Sequence, residues 1–189
     1  MAAVDKDLIR QLVDGSISRD NARQLIRMAR KDHERFWTYL DVLQARVSWT
    51  DRILLRVNDH LYIVAKAGGG RVVKCDCGQE FGDYRTNWKT ASLVNVRRTR
   101  EEFAQVYSPL PACPEPEWQE IREFYCPGCQ AQLAVEVVPP GYPLIHEMLP
   151  DLDRFYREFM GRPLADESPD WYVDRTAATT RAWRDAACR

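Results

Sequence analysis

The sequence predicts an α+β fold, in which an antiparallel β-rich core lies between a helical N-terminal segment and a C-terminal helical or extended arm. Three observations support this prediction. Apolar residues recur at helical spacing through residues 1–48, which contain no proline. From about residue 50, the chain changes to short runs of β-branched and aromatic residues separated by turn residues. Two pairs of cysteines also lie in that β-rich region.

The composition is that of an ordinary globular protein. The chain has 189 residues, of which 45% are hydrophobic and 29% charged, and its formal net charge is -1. This charge gives no general attraction for nucleic acids or membranes. The sequence starts without the apolar stretch of a secretion signal, and no apolar run reaches the roughly 20 residues that span a bilayer. We therefore expect a soluble, cytoplasmic protein whose paired cysteines bind metal or act in redox chemistry.

The N-terminal helical segment, residues 1–48, is predicted to form three short amphipathic helices. The first has an apolar stripe over residues 8–13 and should end at Gly15, which can adopt a left-handed conformation. Ser18 can cap the second helix and Asp32 the third. The predicted apolar faces of the second and third helices consist of Ala22, Leu25, Ile26, Ala29, Phe36, Trp37, Leu40 and Leu43.

The β-rich domain is predicted to extend over residues 49–140. Turn residues separate its first three runs, which indicates a meander of hairpins. Residues 99–107 and 117–125 have a helical pattern, and a proline-rich link at 109–116 joins them. The expected strands lie at 53–57, 61–65, 71–74, 91–96 and 133–138.

The third predicted region, residues 141–189, begins after the strand pattern ends. Residues 151–159 form a plausible amphipathic helix. The polar tail that follows has no clear period, but it carries Trp171, Tyr172 and Trp183. We interpret it as an arm whose aromatic side chains lie on a partner, with a frayed tail as the alternative.

Four cysteines have the spacing of a structural zinc site. Cys75 and Cys77 follow a predicted strand, and Cys126 and Cys129 precede another. Zinc favours four thiolates in a tetrahedron, and two tight turns that each offer two sulfurs meet this demand. Because the protein would fill all four positions, the ion would hold the fold together and offer no open site for water. The sequence thus predicts a zinc-ribbon-like core.

The two halves of this predicted site differ in spacing. The second is an ordinary Cys-x-x-Cys turn, whereas the first has one spacer residue, Asp76. On a regular strand, alternate residues face the same side, so both sulfurs of the first half can still reach one ion. Gly78 and Gly128 allow the backbone to turn sharply beside the cysteines.

Other interpretations of the cysteines remain open at this point. The four could be two unrelated pairs, or Cys126 and Cys129 could form a redox dithiol, although β-branched residues follow them where a redox motif has a helix. The remaining cysteines and histidines, interpreted as free thiols and as ordinary polar residues, are Cys113, Cys188, His33, His60 and His146.

Nucleic-acid binding has one local indication. Residues 84–100 contain five basic residues, no acidic residue and the aromatic side chains of Tyr84 and Trp88. Acidic residues flank the stretch on both sides, which favours an ordinary charged surface. The sequence contains no glycine-rich phosphate loop and no GxSxG or HExxH motif, so a self-contained active site has little support.

The chain resembles the γ subunit of acetone carboxylase. The resemblance covers roughly residues 4–165 in order, and the unusual Cys-x-Cys-Gly occurs together with a downstream Pro-x-Ile-His pattern at 143–146. The stretches that carry the resemblance are residues 32–44, 75–89, 118–129 and 141–156.

This resemblance implies a small subunit in a heterohexamer with two kinds of large subunit, α and β, of the hydantoinase and oxoprolinase type. Such an assembly, a ligase, carboxylates acetone to acetoacetate with bicarbonate and ATP, using Mg²⁺ and a manganese ion held by a large subunit. By the same resemblance, zinc is structural and bound by the four cysteines of the small subunit, which has no catalytic residue. Tyr142, His146 and Asp151 are then candidates for contacts with a large subunit.

An alternative substrate and an alternative function remain open. Acetophenone carboxylase has a related small subunit, so an aryl ketone is an alternative substrate. A stand-alone zinc-ribbon protein that binds nucleic acid or another protein is the alternative function.

Overall fold

The computed structural model describes residues 4–27, 32, 34–108 and 112–187. These residues form an α+β fold with two antiparallel sheets, which confirms the predicted fold class. Ala29, His33 and Cys188 lie outside the described residues. The helices are α1 (Lys6–Asp14), α2 (Arg19–Arg27), α3 (Glu34–Gln44), α4 (Arg100–Ala104), α5 (Leu152–Arg154) and α6 (Thr176–Ala187).

The predicted end of α1 and the predicted starts of α2 and α3 are confirmed. Asp5 caps α1, and Gly15 ends it in the left-handed conformation with φ 70°. The side-chain oxygen of Ser18 accepts from the backbone N–H of Asn21 at 3.2 Å, at the start of α2. Asp32 accepts from the N–H of Glu34 at 3.0 Å and caps α3 in the same way.

The first sheet contains four strands in the order β1-β2-β3-β4. The predicted hairpin meander is confirmed for β1 to β3. Strand β4 was absent from the prediction because its four residues, which include Gly82, are too few to show an alternating pattern. The strands are β1 (Arg52–Arg56), β2 (Leu61–Ala65), β3 (Arg71–Cys75) and β4 (Glu80–Asp83).

The second sheet, of order β5-β6-β7, contains the main error of the sequence prediction. Its strands are β5 (Leu93–Arg97), β6 (Glu120–Tyr125) and β7 (Gln132–Val138). Residues 117–125, which include the helix-favouring residue types Glu, Gln and Arg, were predicted to be helical. The segment instead contains the central strand β6, whose charged side chains pair within the sheet: Arg122 with Glu120 at 2.7 Å, and Arg97 of β5 with Glu123 at 2.8 Å. Pairing on both edges therefore overrides local propensity.

The region between the sheets differs slightly from the prediction. The strand expected at 91–96 begins two residues later, because a 3-10 turn, Trp88–Ala91, capped by Asn87, precedes it. The helix expected at 99–107 is confirmed in shorter form as α4, which starts with a reciprocal capping box between Thr99 and Glu102.

The C-terminal region folds back onto the chain's own core. A π-helical turn, Phe155–Phe159, follows α5, and a 3-10 turn, Pro169–Tyr172, precedes α6. The hydroxyl of Tyr84, 1% exposed, donates to the backbone oxygen of Trp171 at 2.5 Å. The prediction that the tail's aromatic residues lie on a partner is therefore wrong for Trp171, because this chain provides its contacts.

The larger hydrophobic core lies between the two sheets and the C-terminal region, and a smaller one lies under α3. Both cysteine turns border the larger core, to which Cys75 and Cys126 contribute. No helix in the described part of the chain is both long and apolar enough to cross a lipid bilayer.

Candidate metal centre

The fold brings the four predicted cysteine ligands together. The Sγ atoms of Cys75 and Cys129 are 3.8 Å apart, those of Cys77 and Cys126 are 3.7 Å apart, and all four lie within 4.8 Å of one another. A tetrahedral zinc site with Zn–S distances near 2.3 Å has S–S edges of about 3.8 Å. The separations are far longer than a disulfide bond of about 2.0 Å. The cluster therefore has the size and donor set to hold one metal ion such as zinc.

The first half of the cluster lies where β3 turns into β4. The N–H of Cys75 donates to the backbone oxygen of Gln79 at 2.8 Å, and the N–H of Gly78 donates to that of Cys75 at 2.8 Å. Gly78 has φ 97°, a conformation that side chains disfavour. The glycine predicted to permit this turn is therefore required by its geometry.

The second half lies where β6 turns into β7. The N–H of Cys126 donates to the backbone oxygen of Ala131 at 2.9 Å, and the N–H of Gln130 donates to that of Cys126 at 2.8 Å. Gly128 lies against the first half, since a Cβ there would approach Cys77 Sγ to 3.3 Å. A larger residue at 128 would push the two halves apart.

Burial divides the four sulfurs into two pairs. Cys75 and Cys126 are fully buried, whereas Cys77 and Cys129 are exposed. Burial raises the pKa of the Cys75 thiol, against the effect of the Cys77 backbone N–H, and burial also raises the pKa of Cys77. The backbone N–H of Ala131 lowers the pKa of Cys129. A divalent cation bound here would cause these buried thiols to lose their protons, and its positive charge would compensate the charge of the thiolates.

Side chains that were not predicted to belong to the site surround its first half. The Asp76 carboxylate accepts from the Tyr62 hydroxyl at 2.7 Å and lies 2.7 Å from Nδ1 of His60. The indole N–H of Trp49 donates to the backbone oxygens of Cys75 and Asp76, each at 3.1 Å. The only feature of the sequence that could have indicated a role for Asp76 is its position between two cysteines. Its partners come from other strands and turns, so no local pattern reveals them.

The other residues considered in the sequence lie apart from the cluster. Cys113 is half-buried, and its thiol points to the backbone oxygen of Pro114 at 3.4 Å. Nδ1 of His146 lies 3.7 Å from Asp174, and Tyr142 is 45% exposed. Asp151 caps α5 by accepting from the N–H of Arg154.

The basic stretch at 84–100 is paired with carboxylates of this chain. Each of its five cations has an acidic partner, so few of its charges remain available for phosphates. The pairs are Arg85 with Asp83, Lys89 with Glu136 and Glu147, Arg97 with Glu123, Arg98 with Glu120, and Arg100 with Glu115.

Comparisons with known proteins agree with the resemblance described above. The family model described as acetone carboxylase gamma subunit matches residues 47–160. The acetone carboxylase gamma subunit of Xanthobacter autotrophicus is 40% identical over 167 residues, which are 88% of this chain and 98% of that protein. The acetophenone carboxylase beta subunit of Aromatoleum aromaticum is 32% identical over 114 residues, which are 57% of this chain and 77% of that protein.

Proposed function

The chain belongs to the acetone carboxylase gamma subunit family, and from this premise we propose that it is the small zinc-containing subunit of an ATP-dependent ketone carboxylase. Its role in the complex is structural. The observation that carries the proposal is the cluster of four sulfurs at tetrahedral spacing, within a segment that the family model matches.

Zinc would be held by Cys75, Cys77, Cys126 and Cys129. Its chemistry here is that of a cross-link, because four thiolates leave no open position for water or substrate. The ion would join two hairpins whose cysteines are 49 and 54 positions apart in the sequence. The protein's contribution is to hold the two turns face to face and to keep two of the sulfurs out of solvent.

Catalysis is proposed to take place in two larger kinds of subunit. The resemblance implies that those subunits bind ATP with Mg²⁺, hold manganese, and join bicarbonate to the ketone. Acetone is the proposed substrate, with acetophenone or another aryl ketone as the alternative that the second relative's name suggests.

Two exposed apolar surfaces support a subunit role. A groove of about 690 Å³ lies among α1, α2, α3 and the π-helical turn, and its lining includes Leu12, Phe36 and Phe159. The extended segment at 142–148 exposes Tyr142, Leu144, Ile145 and Met148 by 38–45%. Apolar side chains concentrated in this way often mark an interface with another protein.

The test of the proposal is native purification followed by mass spectrometry of the intact assembly with metal analysis. The chain should co-purify with two much larger subunits, carry about one zinc per copy, and show no carboxylase activity when isolated. A metal-free, fully folded monomer would contradict the metal site and the assembly together. A monomer that binds DNA in a salt-dependent manner would support the alternative function.

A matched pair of cysteine variants separates the metal site from general effects of losing a thiol. Cys126→Ser removes a buried ligand and should lower zinc content and cause aggregation. Cys113→Ser removes a half-buried thiol outside the cluster and should leave zinc content unchanged. Equal zinc content in the two variants would count against the proposed ligand set.

A further inference from the structure

Each half of the candidate metal centre is closed by two backbone hydrogen bonds, and the first half is contacted in addition by side chains from outside its turn. The Cys126 turn is closed by two backbone hydrogen bonds within residues 126–131 and by a left-handed residue, Gln130, with φ 61°. The Cys75 turn has one spacer residue fewer, and its spacer, Asp76, contacts Tyr62 and His60. The contacts of this spacer come in addition to the two backbone hydrogen bonds that close the turn within residues 75–79.

From this difference we propose that Asp76 is a positioning residue, which orients the Cys75 and Cys77 thiolates for metal binding through its contacts with Tyr62 and His60. The inference rests on the proposed zinc site. Its physical basis is the general one that groups outside the coordination shell fix the direction of the ligands.

Three contacts immobilise the Asp76 spacer. One carboxylate oxygen accepts from the Tyr62 hydroxyl, and the other faces His60 Nδ1, each at 2.7 Å. Its backbone N–H donates to the carbonyl of His60 at 3.0 Å. With both oxygens engaged, the carboxylate is kept from competing with the sulfurs for the metal.

Trp49 and Tyr62 contact each other and help to hold the turn that contains Asp76. Tyr62 is 2% exposed, and its ring meets the Trp49 indole edge to face at 5.9 Å. The Trp49 ring lies beside Gly78, where a Cβ would come within 3.5 Å of it. Since the same indole N–H binds the carbonyls of Cys75 and Asp76, the backbone of the turn is fixed as well as its side chain.

The contacts also reach the second half of the centre. The N–H of His60 donates to the side-chain oxygen of Asn58 at 2.9 Å, and the Asn58 side-chain amide donates to the carbonyl of Leu133 at 3.0 Å. Leu133 belongs to β7, the strand that follows Cys129. A path of hydrogen bonds therefore connects the two halves without passing through the metal.

The test compares zinc affinities of full-length variants by competition with a chromogenic chelator. Asp76→Ala should lower zinc affinity by about 10-fold to 100-fold, the usual effect of losing a group that orients a ligand. Asp76→Asn should remain within about threefold of the original chain, because its amide can still accept from Tyr62 and donate to His60. Asp59→Ala is the matched control, since the Asp59 side chain is 91% exposed in the neighbouring turn.

A second readout separates positioning from general destabilisation. With Co²⁺ in place of zinc, Asp76→Ala should weaken the thiolate-to-cobalt charge-transfer absorption and change the ligand-field bands. A purely structural loss would lower the melting temperature but leave the spectrum of the folded, cobalt-bound fraction unchanged.

If Asp76→Ala does not fold, Tyr62→Phe tests the positioning role instead. It removes one hydrogen bond without changing the ring, and zinc affinity should fall by about threefold to tenfold. The positioning role is overturned if Asp76→Ala binds zinc as tightly as Asp59→Ala. It is also overturned if Tyr62→Phe binds zinc as tightly as the original chain. In both cases the proposed zinc site stands. An original chain that binds no zinc overturns the proposed metal site together with this inference.

Discussion

The two ends of the chain are attached to the core in different ways. In the N-terminal helices α1 and α2, Ile9 is the buried side chain of the first, and the second has none. The C-terminal region places Leu152, Tyr156 and Leu164 in the larger core. A groove of about 690 Å³ remains open beside the N-terminal helices. The C-terminal region thus inserts three buried side chains into the larger core, whereas α1 and α2 insert none there and border an open groove.

The ion pairs of the two ends also differ in how far they are buried. The Arg71 side chain is fully buried beneath the C-terminal region, where it pairs with Asp153 and, at 2.9 Å, with Asp166. Its guanidinium and that of Arg85 lie 4.7 and 4.4 Å from the centre of the Trp171 ring. The ion pairs of α1, such as Arg10 with Asp7, are solvent-exposed. Aromatic residues in a terminal segment therefore do not by themselves indicate a partner, because charges of this chain already hold Trp171.

The largest expected effect comes from breaking the buried pairing of the C-terminal region. Arg71→Met leaves Asp153, whose side chain is 10% exposed, without its cation. The free energy of unfolding should fall by about 3–5 kcal/mol, as for other broken buried ion pairs. Denaturant titration measures this loss, and Arg10→Met, which breaks an exposed pair of α1, should cause no measurable change. Similar losses in the two variants would remove the distinction between the ends.

A smaller effect is expected from one buried hydroxyl. Tyr156 is fully buried, and its hydroxyl donates to the backbone oxygen of Leu54 at 2.8 Å. Tyr156→Phe leaves that oxygen without this donor and should cost about 1–2 kcal/mol of unfolding free energy. The control is Tyr142→Phe, whose ring is 45% exposed, and thermal unfolding of both variants provides the comparison. Equal melting temperatures would mean that the contact adds nothing to the attachment of this region.

Protonation of Asp83 at acidic pH should weaken the attachment of the C-terminal region to the core. Burial raises the pKa of this carboxyl, but its hydrogen bonds with Arg85 and the nearby Arg175 outweigh burial, so the net pKa lies below its ordinary value of 3.8. A depressed folded pKa stabilises the protein above the ordinary value, and that contribution is lost as the pH falls through the folded one.

The corresponding measurement is urea unfolding at several pH values from about 5 down to about 3. The original chain should lose more stability than Asp83→Asn over this range, by less than about 1 kcal/mol. Asp7→Asn changes an exposed carboxyl of α1, where solvent screens the pairing with Arg10 that lowers its pKa, and it should change the slope less than Asp83→Asn does. Parallel pH profiles for all three proteins would contradict the role of Asp83.

The smallest effect on the isolated chain is expected at the N-terminal groove. Leu12 is 47% exposed on α1 and lines this groove. Leu12→Gln should change the unfolding free energy by less than about 0.5 kcal/mol, as is usual for surface substitutions. If large subunits cover the groove, the variant should be lost from the purified assembly, while Val106→Gln, 48% exposed near α4, should be retained. Equal retention would show that the groove is not an interface.

Local signals account for most of what the sequence predicts correctly. Helix α1 ends at Gly15 because a left-handed residue is needed there, and Thr99 begins α4 through contacts within three residues. The four cysteines are recognised as candidate ligands because structural zinc sites typically use closely spaced pairs, and the folded chain brings all four within 4.8 Å of one another. Such features depend on neighbours in the sequence or on the chemistry of one residue type.

The tertiary structure decided the features that depend on distant partners. Strand β6 has helix-favouring residues, but its backbone hydrogen bonds are made with β5 and β7. The contacts of Asp76 with His60 and Tyr62, 16 and 14 positions away, and those of Arg71 with Asp153 and Asp166, 82 and 95 positions away, have no local pattern. The sequence by itself therefore determined which four cysteines could hold a metal and the ends of several helices, because these depend on residue type and near neighbours. Only the folded chain decided what supports each half of the candidate metal centre and where the C-terminal region lies, because burial and pairing across long separations exist only after the chain has closed.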